Sequence, residues 1–233
     1  AGMTVEQKAA QLLVAGIEGT EPGEDAVQAV QGYQVGGVIL FGRNVESAEQ
    51  LAALTNGLKE LNGDYTPLFL CVDQEGGRVD RMPPEVTDLP SALDFGSIAD
   101  PEARMDACFT LGQTLAAQCA AFGFNMDFAP SLDIWSNPEN TVIGDRAFGT
   151  DAATVTGAAN ETALGILSGG VIPVAKHFPG HGDTAVDSHY GLPVVDKSLE
   201  ELEELELRPF RQAIDTTCVY GTYGGDTSIP AIM

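Results

Sequence analysis

The segment from Lys176 to His189 gathers all three histidines of the chain, His177, His181 and His189, into fourteen residues and sets Asp183 and Asp187 among them. An imidazole beside a carboxylate makes a general acid/base pair, in which the carboxylate fixes the tautomer and stabilises the imidazolium. Asp187 and His189 stand two apart, so on an extended segment their side chains leave the same face and form such a dyad. Zinc is the alternative, with the three histidines and the two aspartates as ligands. Against it stand the missing helical HExxH spacing and the glycines Gly180 and Gly182, which leave the loop too pliable to preset a tetrahedral shell. Ordinary loop polars are the remaining reading, because Pro179, Gly180 and Gly182 also shape a tight turn.

These residues need elements to hold them. Short apolar runs alternate with longer helix-like stretches, the pattern of repeated βα units on a parallel sheet. The runs are Leu12 to Ile17, Val35 to Phe41, Leu68 to Val72, Phe124 to Phe128, Ile172 to Ala175 and Cys218 to Tyr220. Helices are expected over Ala48 to Leu61, Pro101 to Phe122, Ala152 to Leu167 and Leu199 to Ile214. In the last, Leu199, Leu202, Leu205 and Phe210 recur at helical spacing while Glu200, Glu201, Glu203 and Glu204 form a solvated face. Polar, glycine-rich motifs follow the second, third and fifth runs: Gly42-Arg43-Asn44, Asp73 to Arg78, and Lys176-His177. Loops after the C-terminal strand ends build the active sites of parallel barrels, so this placement predicts an enzyme of the α/β, TIM-type class.

Composition narrows the partners. The 233 residues suit one large domain spanning 1–233, and a net charge of -23 would repel nucleic-acid phosphates and anionic lipid surfaces. No apolar run reaches the roughly 18 residues of a membrane span, and nothing at Ala1 resembles a signal peptide. Cys71, Cys108, Cys119 and Cys218 lack CxxC spacing and suggest neither a zinc site nor a disulfide framework. Cysteine usage therefore leaves cytoplasmic and cell-envelope settings both open.

KHFPGHGDTAVDSHYGLP from Lys176 to Pro193 resembles the signature of the bacterial β-N-acetylglucosaminidases of glycoside hydrolase family 3. The resemblance extends in order through GGVILFGRN (Gly36 to Asn44), VDQEGGRVDR (Val72 to Arg81), NMDFAPSLDI (Asn125 to Ile134) and VIGDRAFGTD (Val142 to Asp151). It implies a TIM-type barrel and retaining hydrolysis of terminal β-linked N-acetylglucosamine in peptidoglycan-derived or chitin-like oligosaccharides, with no cofactor. Residue by residue it implies that His189 is the general acid/base and Asp187 its partner. It further implies that Asp73, Arg81, Arg146, Lys176 and His177 hold the sugar. Arg43 and Arg78 are expected to brace loops against nearby acidic residues. Asp127, Asp133 and Asp145 are read as bracing carboxylates before substrate contacts, and Trp135 and Phe148 as packing residues.

The resemblance also implies an aspartate nucleophile on a late strand, in a segment resembling SDDLxM, and this sequence contains no such segment. Asp226, in Gly224-Gly225-Asp226-Thr227-Ser228, has the wrong context to replace it. The expectation is thus about six of eight βα units, a C-terminally incomplete barrel, and a chain that does not hydrolyse the substrate by itself. A β-N-acetylglucosaminide phosphorylase and a catalytically dead sugar-binding homologue are the alternatives. A neutral histidine acid repels incoming phosphate less than a carboxylate would, which is the case for the phosphorylase.

Overall fold

A computed structural model of the chain describes residues 2–184, 194–215 and 228–233. Asp187, His189, Asp226 and the strand expected at Cys218 to Tyr220 lie outside these residues. In chain order the elements open with α1 (Val5–Ala10), β1 (Val14–Gly16), α2 (Glu24–Val27), β2 (Gly37–Ile39), α3 (Ala48–Asn62) and β3 (Phe69–Val72). They continue with α4 (Ala92–Gly96), α5 (Pro101–Ala121), β4 (Met126–Asp127), α6 (Ala152–Ser168) and β5 (Ile172–Ala175). The last are α7 (Leu199–Glu204), α8 (Leu207–Asp215) and β6 (Ala231–Ile232).

The strands form one sheet in the order β1-β2-β3-β4-β5-β6, and every neighbouring pair is parallel. Sequential parallel order with helices on the return paths is the winding of a TIM-type barrel, of which this sheet is a curled part. Each long helix starts where its sequence supplies a cap. Ser47 accepts from the Gln50 amide, Asp100 from Ala103 ahead of Pro101 at the first turn, and Asp151 from Thr154. α5 and α6 approach closely because glycines face each other across the crossing. A Cβ on Gly112 would stand 2.0 Å from the Thr162 carbonyl oxygen, and one on Gly165 would stand 2.2 Å from that of Phe109. Leu40, Leu54, Leu58, Leu70, Leu115 and Ile166 fill the layer between helices and sheet.

One expectation is corrected, and one strand is added. The helix drawn from Leu199 to Ile214 is broken at Leu205, whose backbone leaves the helical region, so that α7 and α8 are separate. Leu199 is therefore exposed and Phe210 buried, although both obey the same spacing. The strand that pairs with β5 is Ala231–Ile232, with Val174 opposite Ala231 and Ala175 opposite Ile232. Such a run is too short to stand out as a strand in the sequence. β4 is equally short, and the Asn125 side chain extends its edge by accepting from the Leu70 amide and donating to the Leu68 carbonyl.

Candidate active site

The C-terminal ends of β3, β4 and β5 bring the charged motif residues together. Lys176, one residue beyond β5, is buried, and its Nζ lies 2.6 Å from Asp73 Oδ1 and 2.6 Å from Glu75 Oε1. Glu75 in turn takes a bidentate pair from Arg146, with Nε 2.9 Å from Oε2 and Nη2 2.8 Å from Oε1. Burial alone would raise the Glu75 pKa, but the Lys176 charge and the Arg146 hydrogen bonds and charge overcome it and hold the carboxyl at about 2. Burial works against the charge of Lys176 as well, and the carboxylates of Glu75 and Asp73 more than restore it, so its pKa is raised. Asp73 and Glu75 are two apart where the chain leaves β3, so both reach the same side. That spacing was a legible signal, yet Glu75 was given no role by the sequence reading.

A second junction joins the loops after β4 and β5. Ser131 bridges to Lys176 in parallel register, which lays Asp133 beside His177. His177 Nδ1 lies 2.5 Å from Asp133 Oδ2, and the His181 amide donates to Asp133 Oδ1 at 2.6 Å. Burial raises the pKa of Asp133, but the hydrogen bonds from His177, the His181 amide and the Ser131 hydroxyl together bring it below the ordinary carboxylate value. His177 Nε2 is 3.3 Å from Arg146 Nη2, so the two junctions form one network. Asn140 ties the loop carrying Arg146 to the histidine loop by donating to the His181 carbonyl at 2.7 Å. Gly182 lets that loop run against Ile134, where a Cβ would fall 1.7 Å from the carbonyl oxygen. Lys197 holds the far side of the loop through Asp183 Oδ2 at 3.0 Å and through buried Glu206, whose position depends on the break between α7 and α8.

Asp73, Arg146, Lys176 and His177 are thus brought together, whereas Arg81 stands at the rim. Its amide donates to Gln74 Oε1, its Nη1 donates to the Asp80 carbonyl, and its stem passes beside the turn at Gly42. Arg78 braces as expected, paired with Asp145 at 2.7 Å and donating to the carbonyls of Val142 and Ile143. Arg43 pairs with Glu18 at 3.3 Å and covers the Phe41 ring. Phe148 is buried in the core. Asp127 is fully buried and accepts from the Gln74 amide at 2.9 Å, and that burial raises its pKa well above the ordinary carboxylate value. Among the described residues no His, Cys, Asp and Glu group suits a metal ion, and no helix is long and apolar enough to cross a membrane. A depression of about 250 Å³ lined by Gln7, Gln11, Gln34, Tyr65 and Thr66 lies before the strands, at the end of the sheet away from the charged network.

Unspent hydrogen-bonding capacity shows what the network can hold. Lys176 spends two of its three N–H groups on Asp73 and Glu75. Arg146 spends four of its five on Glu75, on His177 and, through Nη1, on the Val142 carbonyl. Among the described residues one ammonium hydrogen, one Nη1 hydrogen and Asp73 Oδ2 remain, able to serve the hydroxyl and amide groups of a neutral polar ligand. A partial parallel barrel with this charged network at its C-terminal strand ends defines an α/β-barrel protein, with the network placed where such barrels build their active sites.

Comparison with known proteins narrows this to a family. Residues 4–219 match the glycosyl hydrolase family 3 N-terminal domain, and the chain belongs to that family. It is 38% identical over 201 residues to a β-hexosaminidase of Methylobacillus flagellatus, covering 85% of this chain and 57% of that protein. With a β-hexosaminidase of Methylococcus capsulatus the identity is 44% over 179 residues, covering 77% of this chain and 52% of the relative. The chain therefore spans little more than half the length of these relatives. Among solved structures, a family 3 β-N-acetylglucosaminidase from Paenibacillus superposes with a TM-score of 0.84 at 42% identity, covering 91% of this chain and 40% of that one. NagZ from Neisseria gonorrhoeae, solved with N-trifluoroacetyl-D-glucosamine, superposes with a TM-score of 0.78 at 38% identity, covering 85% of this chain and 59% of that one.

Proposed function

We propose that residues 1–233 are most of the catalytic barrel of a retaining glycoside hydrolase that releases terminal β-linked N-acetylglucosamine, from peptidoglycan-derived or chitin-like fragments. The observation that carries the reading is the buried Asp73–Lys176–Glu75–Arg146 network, in which the described residues leave one ammonium hydrogen, one guanidinium hydrogen and Asp73 Oδ2 for a ligand. The names of the relatives and the amino-sugar ligand of the NagZ structure support the same substrate class. In this reading Asp73 Oδ2 accepts from a sugar hydroxyl, while Lys176, Arg146 and Arg81 donate to hydroxyl or acetamido oxygens and His177 completes the wall. His189 protonates the leaving oxygen and then deprotonates water, with Asp187 holding its tautomer. The carboxylate nucleophile that retention requires on the opposite face comes from a segment that this sequence does not contain.

The test uses the enzyme that contains this chain. Wild type should release free N-acetylglucosamine from a natural β-linked disaccharide and from its nitrophenyl glycoside. His189→Ala should slow the disaccharide by about 10² to 10⁴ and the nitrophenyl glycoside much less, because a good leaving group needs little protonation. Equal losses on both would remove His189 from the acid role. A sugar phosphate formed in phosphate buffer would establish the phosphorylase instead, and no turnover by wild type would leave a binding protein.

A further inference from the structure

Asp133 accepts four hydrogen bonds among the described residues. His177 Nδ1 and the Ser131 hydroxyl serve Oδ2 at 2.5 and 2.9 Å, and the amides of His181 and His177 serve Oδ1 at 2.6 and 3.4 Å. The carboxylate is completely buried, so it has neither solvent nor space in which to turn. On the other side of the same imidazole, Nε2 lies 3.3 Å from Arg146 Nη2. A guanidinium nitrogen has only hydrogens to offer, and an ionised carboxylate has only lone pairs. The contact with Arg146 is a hydrogen bond only if Nε2 carries a lone pair, and the contact with Asp133 only if Nδ1 carries the proton. Two neighbours from different loops dictate the same tautomer.

We propose that Asp133 is a positioning residue that fixes His177 as the Nδ1–H tautomer, so that Nε2 faces the sugar-binding cleft as an uncharged hydrogen-bond acceptor. This deepens the glycosidase reading above and rests on it for the identity of the ligand. Lys176 and Arg146 can only donate, and Asp73 accepts at the cost of bringing a charge. Nε2 has a single lone pair, which Arg146 Nη2 fills in the free chain; a bound sugar hydroxyl takes that place, giving its hydrogen to His177 and receiving one from Arg146. Such a pair rejects a fluorine or hydrogen in place of that hydroxyl, because neither can donate. His177 thereby becomes a specificity-determining residue whose polarity is set from behind by Asp133.

The first measurement is a long-range ¹H–¹⁵N correlation spectrum of the enzyme labelled with [¹⁵N]histidine, with the His177 ring identified by the signals that His177→Gln removes. A protonated Nδ1 and an unprotonated Nε2 in the neutral ring are expected, and a proton on Nε2 overturns the proposal. The second is Asp133→Asn, whose amide can offer Nδ1 a donor and so move the ring proton to Nε2, against Arg146. The expected result is a reversed tautomer and a roughly tenfold or greater loss in kcat/KM on β-N-acetylglucosaminides, the worth of one good hydrogen bond. Adding His177→Gln to Asp133→Asn should cost no more than His177→Gln alone, whereas a merely structural Asp133 would give additive losses and sink the idea. If Asp133→Asn does not fold, the wild-type spectrum still decides. Should wild type show the expected tautomer but cleave no N-acetylglucosaminide, the substrate reading fails and the tautomer assignment stands.

Discussion

Glu75 shows how a single side chain organises the cleft. It is 7% exposed and lies between Lys176 and Arg146, so removing its charge leaves two cations facing each other with the more distant Asp133 and the single partner Asp73 to offset them. Its carboxyl falls from an ordinary value of 4.5 to about 2 on folding. The folded-state value is the lower one, so the unfolded chain takes up a proton first as the pH falls. The stability Glu75 contributes is complete above pH 4.5 and disappears between pH 4.5 and about 2. By this linkage the contribution is on the order of 3 kcal/mol. Glu75→Gln is therefore expected to lower stability at neutral pH by about that amount. Its urea-unfolding free energy should also change less than that of wild type between pH 4.5 and 2. Parallel pH profiles for the two proteins would mean that Glu75 is not the titrating group. In the enzyme that contains this chain, the same substitution should raise KM, because Lys176 and Arg146 lose their common anchor.

At the scale of elements, α5 and α6 owe their close crossing to Gly112 and Gly165. A methyl group at Gly112 would meet backbone atoms of α6, which have no side-chain freedom with which to yield. Gly112→Ala should cost about 2 kcal/mol or more, read as a fall in Tm of roughly 4–8 °C. Gly2→Ala, where nothing stands within 4 Å, is the control and should leave Tm unchanged. The loops respond to the same logic. Ser131, Asn140 and Gly182 fasten the segments after β4 and β5 to one another, so the functional side chains are held by backbone pairing and not by loop stiffness alone.

For the molecule as a whole, the sheet has two outer edges, β1 and β6, and among the described residues neither has a strand on its far side. Leu12 and Leu13, which lead into β1, are 85% and 56% exposed. An apolar, unpaired edge is a template for association. The 233-residue chain by itself should self-associate in sedimentation velocity, and Leu13→Lys should shift it toward monomer without lowering Tm. A monomer at all concentrations would show that the edge is protected. Much of this arrangement was written in the sequence. The alternation of apolar runs with capped helices gave the parallel winding, because the period of apolar residues directly reflects which faces are buried. Asp73, Lys176 and His177 stand in polar motifs after strands, while their role and that of Arg146 came from the resemblance of those motifs to family 3. Arg78 and Arg43 were legible as braces because scarce cations lie among many acids. Tertiary structure alone decided that Glu75 is the shared anchor, because Arg146 meets it across 71 residues of chain. It also decided the pairing of Asp133 with His177, because those partners are 44 residues apart and become neighbours only where β4 and β5 lie side by side. The break at Leu205 escaped the helical period for the same reason: local spacing records what a helix could bury, and the contact of Glu206 with Lys197 outside the helix decides what it does bury.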